Sequence, residues 1–191
     1  MSDSGRGKRL IGAWILLLCV IWTGAVSCRK EAPVQAVSVL NVMQAEAKPL
    51  PAGLVYDRRS DPAGKEYLSD VLFAALYGPA ARGCFGEDRQ TGEAEGSSVV
   101  PPLADDGALF LSAVPHPAEL AVLRCPDPSS ALSVAALFRE RLEALRIAWA
   151  GTEYAEWVEM GQVTVVDGFV LFAVCPNAEA VLRAGAETVR R

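Results

Sequence analysis

The sequence predicts an α+β protein in which long helices pack on a four-stranded, mostly antiparallel sheet. Two pairs of short apolar runs are each joined by a short turn, which is typical of hairpins. A long amphipathic segment lies between the pairs, and a second helical segment ends the chain. The predicted order is therefore strand-strand-helix-strand-strand-helix, preceded by one helix.

Length and composition limit the classes of function. The chain has 191 residues, of which 51% are apolar, so it is not largely disordered and supports one domain. Its net charge of -5 argues against a nucleic-acid partner, which needs clustered basic residues. Five Cys and one His without close spacing exclude a zinc finger, and no motif indicates a metal or a cofactor.

Residues 1–27 have the pattern of a secretory signal peptide. Three basic residues between positions 6 and 9 precede an apolar run over 10–22, and small residues follow it as far as Cys28. The apolar run is shorter than the about 20 residues that a membrane-spanning helix needs. The pattern therefore favours a cleaved signal.

The end of this signal resembles a bacterial lipobox. Ala25, Val26 and Ser27 stand directly before Cys28, although that motif prefers Leu where Ala25 stands. The resemblance implies that the Cys28 thiol carries diacylglycerol and that the chain is cut just before it. An alternative is an uncleaved single-pass anchor, because small residues extend the apolar run almost to spanning length. Both readings place the later residues at the extracytoplasmic face of the cell membrane.

Residues 28–53 are predicted to form a lipid-anchored tether, and residues 54–191 a single α+β domain. Three prolines fall within the tether, and a mildly apolar stretch over 37–43 leaves open a short strand or a turn of helix. Removal of the signal leaves 15 basic and 22 acidic residues, a net charge of -7. Attachment to an anionic membrane would then come from acyl chains and not from charge.

The first helix is predicted over 62–77, with Asp61 as its cap and Gly78 at its end. An acidic, glycine-rich stretch over 80–104 follows and is expected to be an exposed loop. Its acids lack the spacing of a calcium-binding loop, so a solvated surface is the favoured reading.

The first hairpin is predicted from strands over 108–114 and 119–125, joined by the Pro-His-Pro turn at 115–117. A long amphipathic helix follows over 129–150, with Asp127 as a candidate cap.

The second hairpin is predicted from strands over 162–166 and 169–175, because Asp167 and Gly168 both tolerate the positive φ of a tight turn. A final helix runs from a cap at Asn177 to about 189. The simplest packing places the long and final helices on one face of the sheet, with the helix over 62–77 helping to cover the other face.

Cys125 and Cys175 each end an apolar strand and precede a proline. If their strands are parallel neighbours, the two thiols lie at one edge of the sheet and can form a disulfide. If the strands are antiparallel, the thiols lie at opposite edges and no bond forms. The favoured interpretation is two small, buried apolar residues.

A single histidine and a group of aromatic residues are further candidate sites. His116, the only histidine, lies between prolines and is interpreted as an exposed turn residue. Trp149, Tyr154 and Trp157 follow one another and form either a ligand platform or ordinary packing, of which packing is favoured. No catalytic residue is assigned, because no base accompanies a thiol or hydroxyl nucleophile.

The chain from 65 to 182 resembles a family of small Gram-positive lipoproteins known only as a domain of unknown function. The pieces that carry the resemblance are residues 76–78, the strand at 119–124, the charged helix segment at 139–143 and the hairpin at 161–172. Members of that family begin with a lipobox signal, which agrees with Cys28. The resemblance implies no activity and no catalytic residues.

These observations lead to the expectation of a membrane-anchored extracytoplasmic lipoprotein that acts as a non-enzymatic binding or interaction module. Its partner would be a protein or a small ligand at the cell envelope. One alternative is an envelope hydrolase or thiol enzyme. Another is a single-pass membrane protein that serves as a structural subunit of an envelope complex.

Overall fold

The computed structural model describes residues 33–87 and 101–191 and confirms the α+β class. The helices are α1 (Ala36–Glu46), α2 (Asp70–Tyr77), α3 (Pro128–Trp149), α4 (Ala155–Glu159) and α5 (Ala178–Val189). The strands are β1 (Gly53–Asp57), β2 (Asp106–Ser112), β3 (Glu119–Arg124), β4 (Gln162–Val166) and β5 (Phe169–Val174). A short 3-10 turn, Pro79–Ala81, follows α2.

The sheet has five strands where the sequence predicted four. All neighbours are antiparallel, in the order β1-β2-β3-β5-β4. The additional strand, β1, pairs with β2 and begins at Gly53, where a Cβ would lie 2.4 Å from the Leu111 carbonyl oxygen. Such close backbone contact requires glycine, and this contact between distant residues has no local sequence signal.

Helix α1 occupies much of the segment predicted to be a tether. Ala36, Val39, Leu40 and Met43 are fully buried, and their spacing places them on one helical face. They pack against the sheet and α5 in one core cluster. Residues 36–46 therefore belong to the folded domain and are not a free tether.

The helices cover both faces of the sheet, so the prediction of the long and final helices on one face is wrong. Helices α2 and α3 pack on one face, and α1 and α5 pack on the other. The reason lies in β5, whose six residues are all buried. Side chains of a strand alternate between the two faces, so a wholly apolar central strand needs cover on both sides.

Helix ends follow local capping chemistry in two of three cases. Asp127 caps α3 as predicted, since its side chain accepts from the backbone N–H groups of Ser129 and Ser130. Helix α2 begins later than predicted, because Ser69 and not Asp61 provides its cap. Asn177 lies at the start of α5 but makes no capping bond to it.

The amide of Asn177 instead joins two distant parts of the chain. Its Nδ2 donates to the carbonyl of Glu46 at 2.9 Å, and its Oδ1 accepts from the Lys48 N–H at 3.2 Å. The side chain thereby fixes the end of α1 against the start of α5.

The β4–β5 hairpin turns as the sequence predicted. Asp167 and Gly168 have φ values of 46° and 80°, the left-handed region that a two-residue turn of this kind requires. The turn sets the register in which Val166 pairs with Phe169.

None of the described helices has both the length and the apolar character required to cross a bilayer. The predicted signal, the lipidation site Cys28 and the alternative membrane anchor lie outside the described residues, as do positions 88–100 of the predicted acidic loop.

Candidate functional site

Four aromatic side chains form the best candidate for a ligand site. The ring of His116 lies 4.3 Å from that of Tyr154 and 4.6 Å from that of Trp157, measured between centroids. Tyr154 lies 5.6 Å from Trp149 and 5.9 Å from Trp157. All four side chains are partly exposed. We call these residues the aromatic cluster.

Three separate parts of the chain build the aromatic cluster. His116 comes from the β2–β3 connection, Trp149 ends α3, and the other two rings belong to α4 and its first flank. Gly151, with φ 73°, lets the chain turn sharply after α3. Thr152 stabilises this turn because its hydroxyl donates to the Trp149 carbonyl at 2.8 Å.

The structure thus brings together two features that the sequence presented separately. His116 is half-buried between aromatic rings and is not an exposed turn residue. No pattern in the sequence joins His116 to Tyr154 and Trp157, because these contacts form only when the β2–β3 connection meets α4 in the folded domain.

The imidazole of His116 has a defined hydrogen-bond arrangement. Its Nδ1 accepts from the Ala118 N–H at 3.0 Å, so the proton of the neutral ring lies on Nε2. Burial lowers the pKa of His116 below its ordinary 6.5, and the charge of Glu153 opposes this shift. The ring is therefore neutral at pH 7 and offers a polar edge within an apolar surface.

A buried ion pair lies at the same end of the sheet. Glu119, whose side chain is 3% exposed, accepts from Arg141 at 2.8 and 3.1 Å and from the Tyr77 hydroxyl at 2.7 Å. The three residues join β3, α2 and α3. Burial, and next the charge of Glu119, raise the pKa of Tyr77 well above 10, so this hydroxyl remains a donor. Sequence reasoning did not find this pair.

A second polar cluster surrounds Glu87. Its carboxylate accepts from Arg58, from the Tyr67 hydroxyl and from the Asp70 N–H. Arg58 also lies over the rings of Tyr67 and Phe85. Because these groups satisfy one another's hydrogen bonds, the cluster is a structural network. It holds Arg58 and Tyr67 close to the first residue of α2, Asp70.

Asp106 follows the stretch predicted to be an exposed acidic loop, and it is buried at the start of β2. Its carboxylate accepts from the Ala36 N–H at 3.1 Å, from its neighbour Gly107 at 3.0 Å and from Arg59 at 3.3 Å. The acid therefore fixes the first turn of α1, where a negative charge is favourable.

The antiparallel pairing of β3 and β5 excludes the Cys125–Cys175 disulfide. Cys125 follows the residue paired with Phe169, whereas Cys175 follows the residue paired with Glu119, so the thiols lie at opposite ends. They also pack in the cores on opposite faces. Both are free and buried, as is Cys84.

Burial makes these thiols poor nucleophiles. It raises the pKa of Cys125 to about 12 and that of Cys175 to about 11, and it raises the pKa of Cys84 further. A thiol enzyme needs a thiolate near neutral pH. Within the described ranges, no three His, Cys, Asp or Glu side chains are grouped so as to hold a metal ion.

The fold and the site together define an α+β domain with a half-exposed aromatic cluster and a buried ion pair at the same end of the sheet. No protein-family model matches the chain, no curated protein is similar to it, and no solved structure resembles it. The resemblance to Gram-positive lipoproteins stays a prediction.

The titration of His116 tests the geometry of the aromatic cluster. We expect the tag-free protein, which contains one histidine, to show a single imidazole titration by NMR with its midpoint below 6.5. Glu153→Gln should lower the midpoint further, because it removes the charge that favours the imidazolium. The exposed Glu140→Gln serves as a control that leaves the midpoint unchanged.

The lowered pKa of His116 determines the direction in which the stability of the domain changes with pH. The unfolded imidazole has the higher pKa and binds the proton more readily, so this contribution is fully present above pH 6.5. It is lost as the pH falls from 6.5 through the lower folded pKa. A midpoint above 6.5 would contradict the half-buried position of the ring.

Proposed function

We propose that the protein is a lipid-anchored, non-enzymatic binding domain on the extracytoplasmic face of the cell membrane. In this proposal the aromatic cluster is the ligand site. The observation that carries the proposal is that the chain enters the domain at one end of the sheet, whereas the aromatic cluster lies at the other end.

The entry point is defined by two hydrogen bonds. The guanidinium of Arg124 donates to the Val34 carbonyl at 3.4 Å, and the Ala36 N–H donates to Asp106 at 3.1 Å. Arg124 ends β3, and Asp106 pairs with it at the start of β2. The aromatic cluster lies beside the other end of β3, because His116 precedes Glu119 by three residues.

The length of chain before α1 limits how far the domain extends from a lipid anchor. The eight residues from Cys28 to Ala36 reach at most about 29 Å when fully extended. A flexible tether of 26 residues, 28–53, as the sequence predicted, would let the domain move much farther from the lipid anchor. The short connection supports an arrangement in which the Arg124 end lies toward the membrane and the aromatic cluster faces away from it.

The chemistry of the aromatic cluster supports binding in preference to catalysis. Tryptophan and tyrosine rings provide large apolar contact areas together with polar edges, which suits a ligand or a partner side chain. The alternative thiol enzyme has little support, because the described thiols are buried with raised pKa values. The alternative single-pass anchor predicts the same orientation but a retained N-terminus.

Replacement of Cys28 tests the anchor. We expect wild-type protein in the membrane fraction with an intact mass that begins at Cys28 and includes a diacylglycerol group. Cys28→Ser should release the protein or leave the signal uncut. Cys19→Ser, a matched change within the apolar run, should behave as wild type. If Cys28→Ser fractionates and migrates like wild type, lipidation is wrong, and a retained N-terminus supports the single-pass alternative.

Tryptophan fluorescence tests the orientation in the same preparation. Of the four tryptophans, Trp14 and Trp22 lie in the predicted signal, so cleavage leaves only Trp149 and Trp157, both in the aromatic cluster. We expect acrylamide to quench their emission in lipid vesicles, whereas lipids brominated on their acyl chains leave it unchanged. Quenching by the brominated lipids would place the aromatic cluster at the bilayer and contradict the proposal.

A further inference from the structure

Strand β4 is a free edge of the sheet. It is the last strand in the order and pairs only with β5. In the part of the chain that the structure describes, no hydrogen bond joins β4 to any other element. An unpaired edge presents backbone donors and acceptors to an added strand.

The hairpin register determines which backbone groups point outward. In a two-residue hairpin the flanking residues, here Val166 and Phe169, exchange both hydrogen bonds, and bonded pairs then alternate with non-bonded pairs. Val163 and Val165 therefore direct their N–H and C=O groups away from β5. Four backbone groups are available to an added strand.

An apolar groove of about 500 Å³ lies beside this edge on the α3 face. Leu132 of α3 and Val165 of β4 line it and are 64% and 42% exposed, although both are large apolar side chains. Cys125 lies at the groove as well. Main-chain pairing along an edge with a side-chain pocket next to it is the geometry by which proteins bind extended peptides.

The groove is acidic at its rim. Asp127 and Asp167 line it, and no Lys or Arg does so. Hydrogen bonds from Ser129, and then from Ser130, hold the pKa of Asp127 far below its ordinary value, so its charge persists at any physiological pH. Arg190, the cation near Asp167, lies 3.9 Å away with both side chains well exposed to water. The rim therefore favours an occupant with positive charge.

We infer that the β4 edge and this groove form a docking site for an extended segment of a partner protein that alternates apolar and basic residues. The apolar side chains enter the groove beside Leu132, and the basic side chains meet Asp127 and Asp167. This site is separate from the aromatic cluster, because Asp167 and Gly168 lie at the opposite end of the sheet.

The acidic rim argues against two other occupants. Asp127 and Asp167 lie at the Arg124 end, which the proposed function turns toward the membrane, but their charges oppose direct contact with an anionic lipid surface. A second copy of the chain would present its own β4, Gln162–Val166, which contains no Lys or Arg to match these charges. A cationic extended segment can form backbone hydrogen bonds with the β4 edge and place its positive charges beside Asp127 and Asp167.

Two labelled octapeptides test the inference by fluorescence anisotropy with the full-length protein in non-ionic detergent. One alternates Lys with Val, and the other alternates Glu with Val. We expect the Lys–Val peptide to bind at least about tenfold more tightly. Val165→Pro should weaken that binding at least about tenfold, because proline lacks the outward N–H while the β4–β5 bonds stay intact.

A pair of variants on one helix controls for general charge effects. Leu132→Lys should weaken binding of the Lys–Val peptide by about tenfold, whereas Ile147→Lys should leave it within about twofold. Ile147 is 80% exposed on the same helix but near its other end. This pair keeps the test valid if Val165→Pro fails to fold.

Four outcomes would overturn the inference. They are equal binding of the two peptides, insensitivity of binding to Leu132→Lys, a β4-dependent dimer in sedimentation, and attachment of Cys28→Ser protein to anionic vesicles that is lost in Leu132→Glu. The last two would identify a second copy or a lipid surface as the occupant.

Discussion

Glu119→Ala is expected to lower the free energy of unfolding by about 3 kcal/mol, the low end of the range for breaking a buried ion pair. The substitution leaves the Arg141 guanidinium and the Tyr77 hydroxyl without their shared acceptor. The side chain of Arg141 is 24% exposed, so water partly compensates for the lost partner, and we choose the low end for that reason.

Denaturant unfolding followed by circular dichroism measures this effect. Glu143→Ala is the matched control, because Glu143 also pairs with an arginine, at 2.5 Å, but at an exposed position on α3. That change should alter stability by less than about 1 kcal/mol. If the two variants were equally stable, the Glu119–Arg141 pair would not stabilise the packing of β3 against α3.

The second large effect is expected at Leu40. Leu40→Asp should destabilise the domain by about 4 kcal/mol or more, because it places a carboxylate without a partner in a core site that is 0% exposed. The side chain lies between the sheet and α5 in the core cluster on that face. Loss of the native fold at 37 °C is a consistent outcome.

Val42→Asp provides the comparison within the same helix. Val42 is exposed, so a charge there remains in water and should cost less than about 1 kcal/mol. A free tether over 28–53 predicts that both substitutions are harmless, whereas α1 as part of the domain predicts a large difference. Thermal unfolding of the two variants in parallel therefore decides between these descriptions, and equal melting temperatures would contradict the packing of α1.

Elements with short-range signals were predictable from the sequence. Asp167 and Gly168 specify their turn because both adopt positive φ. Asp127 caps α3 through residues two and three positions later. The apolar periodicity of β2 to β5 and of α3 gave their positions to within a few residues.

Other features depend on contacts between residues far apart in the chain. Helix α1 has only a modest apolar stripe. It becomes part of the core because this stripe packs against α5 and the sheet. Strand β1 forms because Gly53 and the residues after it pair with the edge of β2. The aromatic cluster likewise requires His116 to meet Trp157, which lies more than 40 positions later.

The predicted export signal, the resemblance to a lipobox and the acidic charge of the remainder come from the sequence alone, because each depends on composition or on adjacent residues. The strand and helix pattern from 106 to 189 belongs with them, since periodicity and capping are local. Three features depend on the tertiary structure: the division of the helices between the two faces of the sheet, the separation of Cys125 from Cys175, and the contacts of Glu119 and His116 with distant residues. These outcomes follow from burial of both faces of the central strands, a requirement that is met only when distant segments pack together.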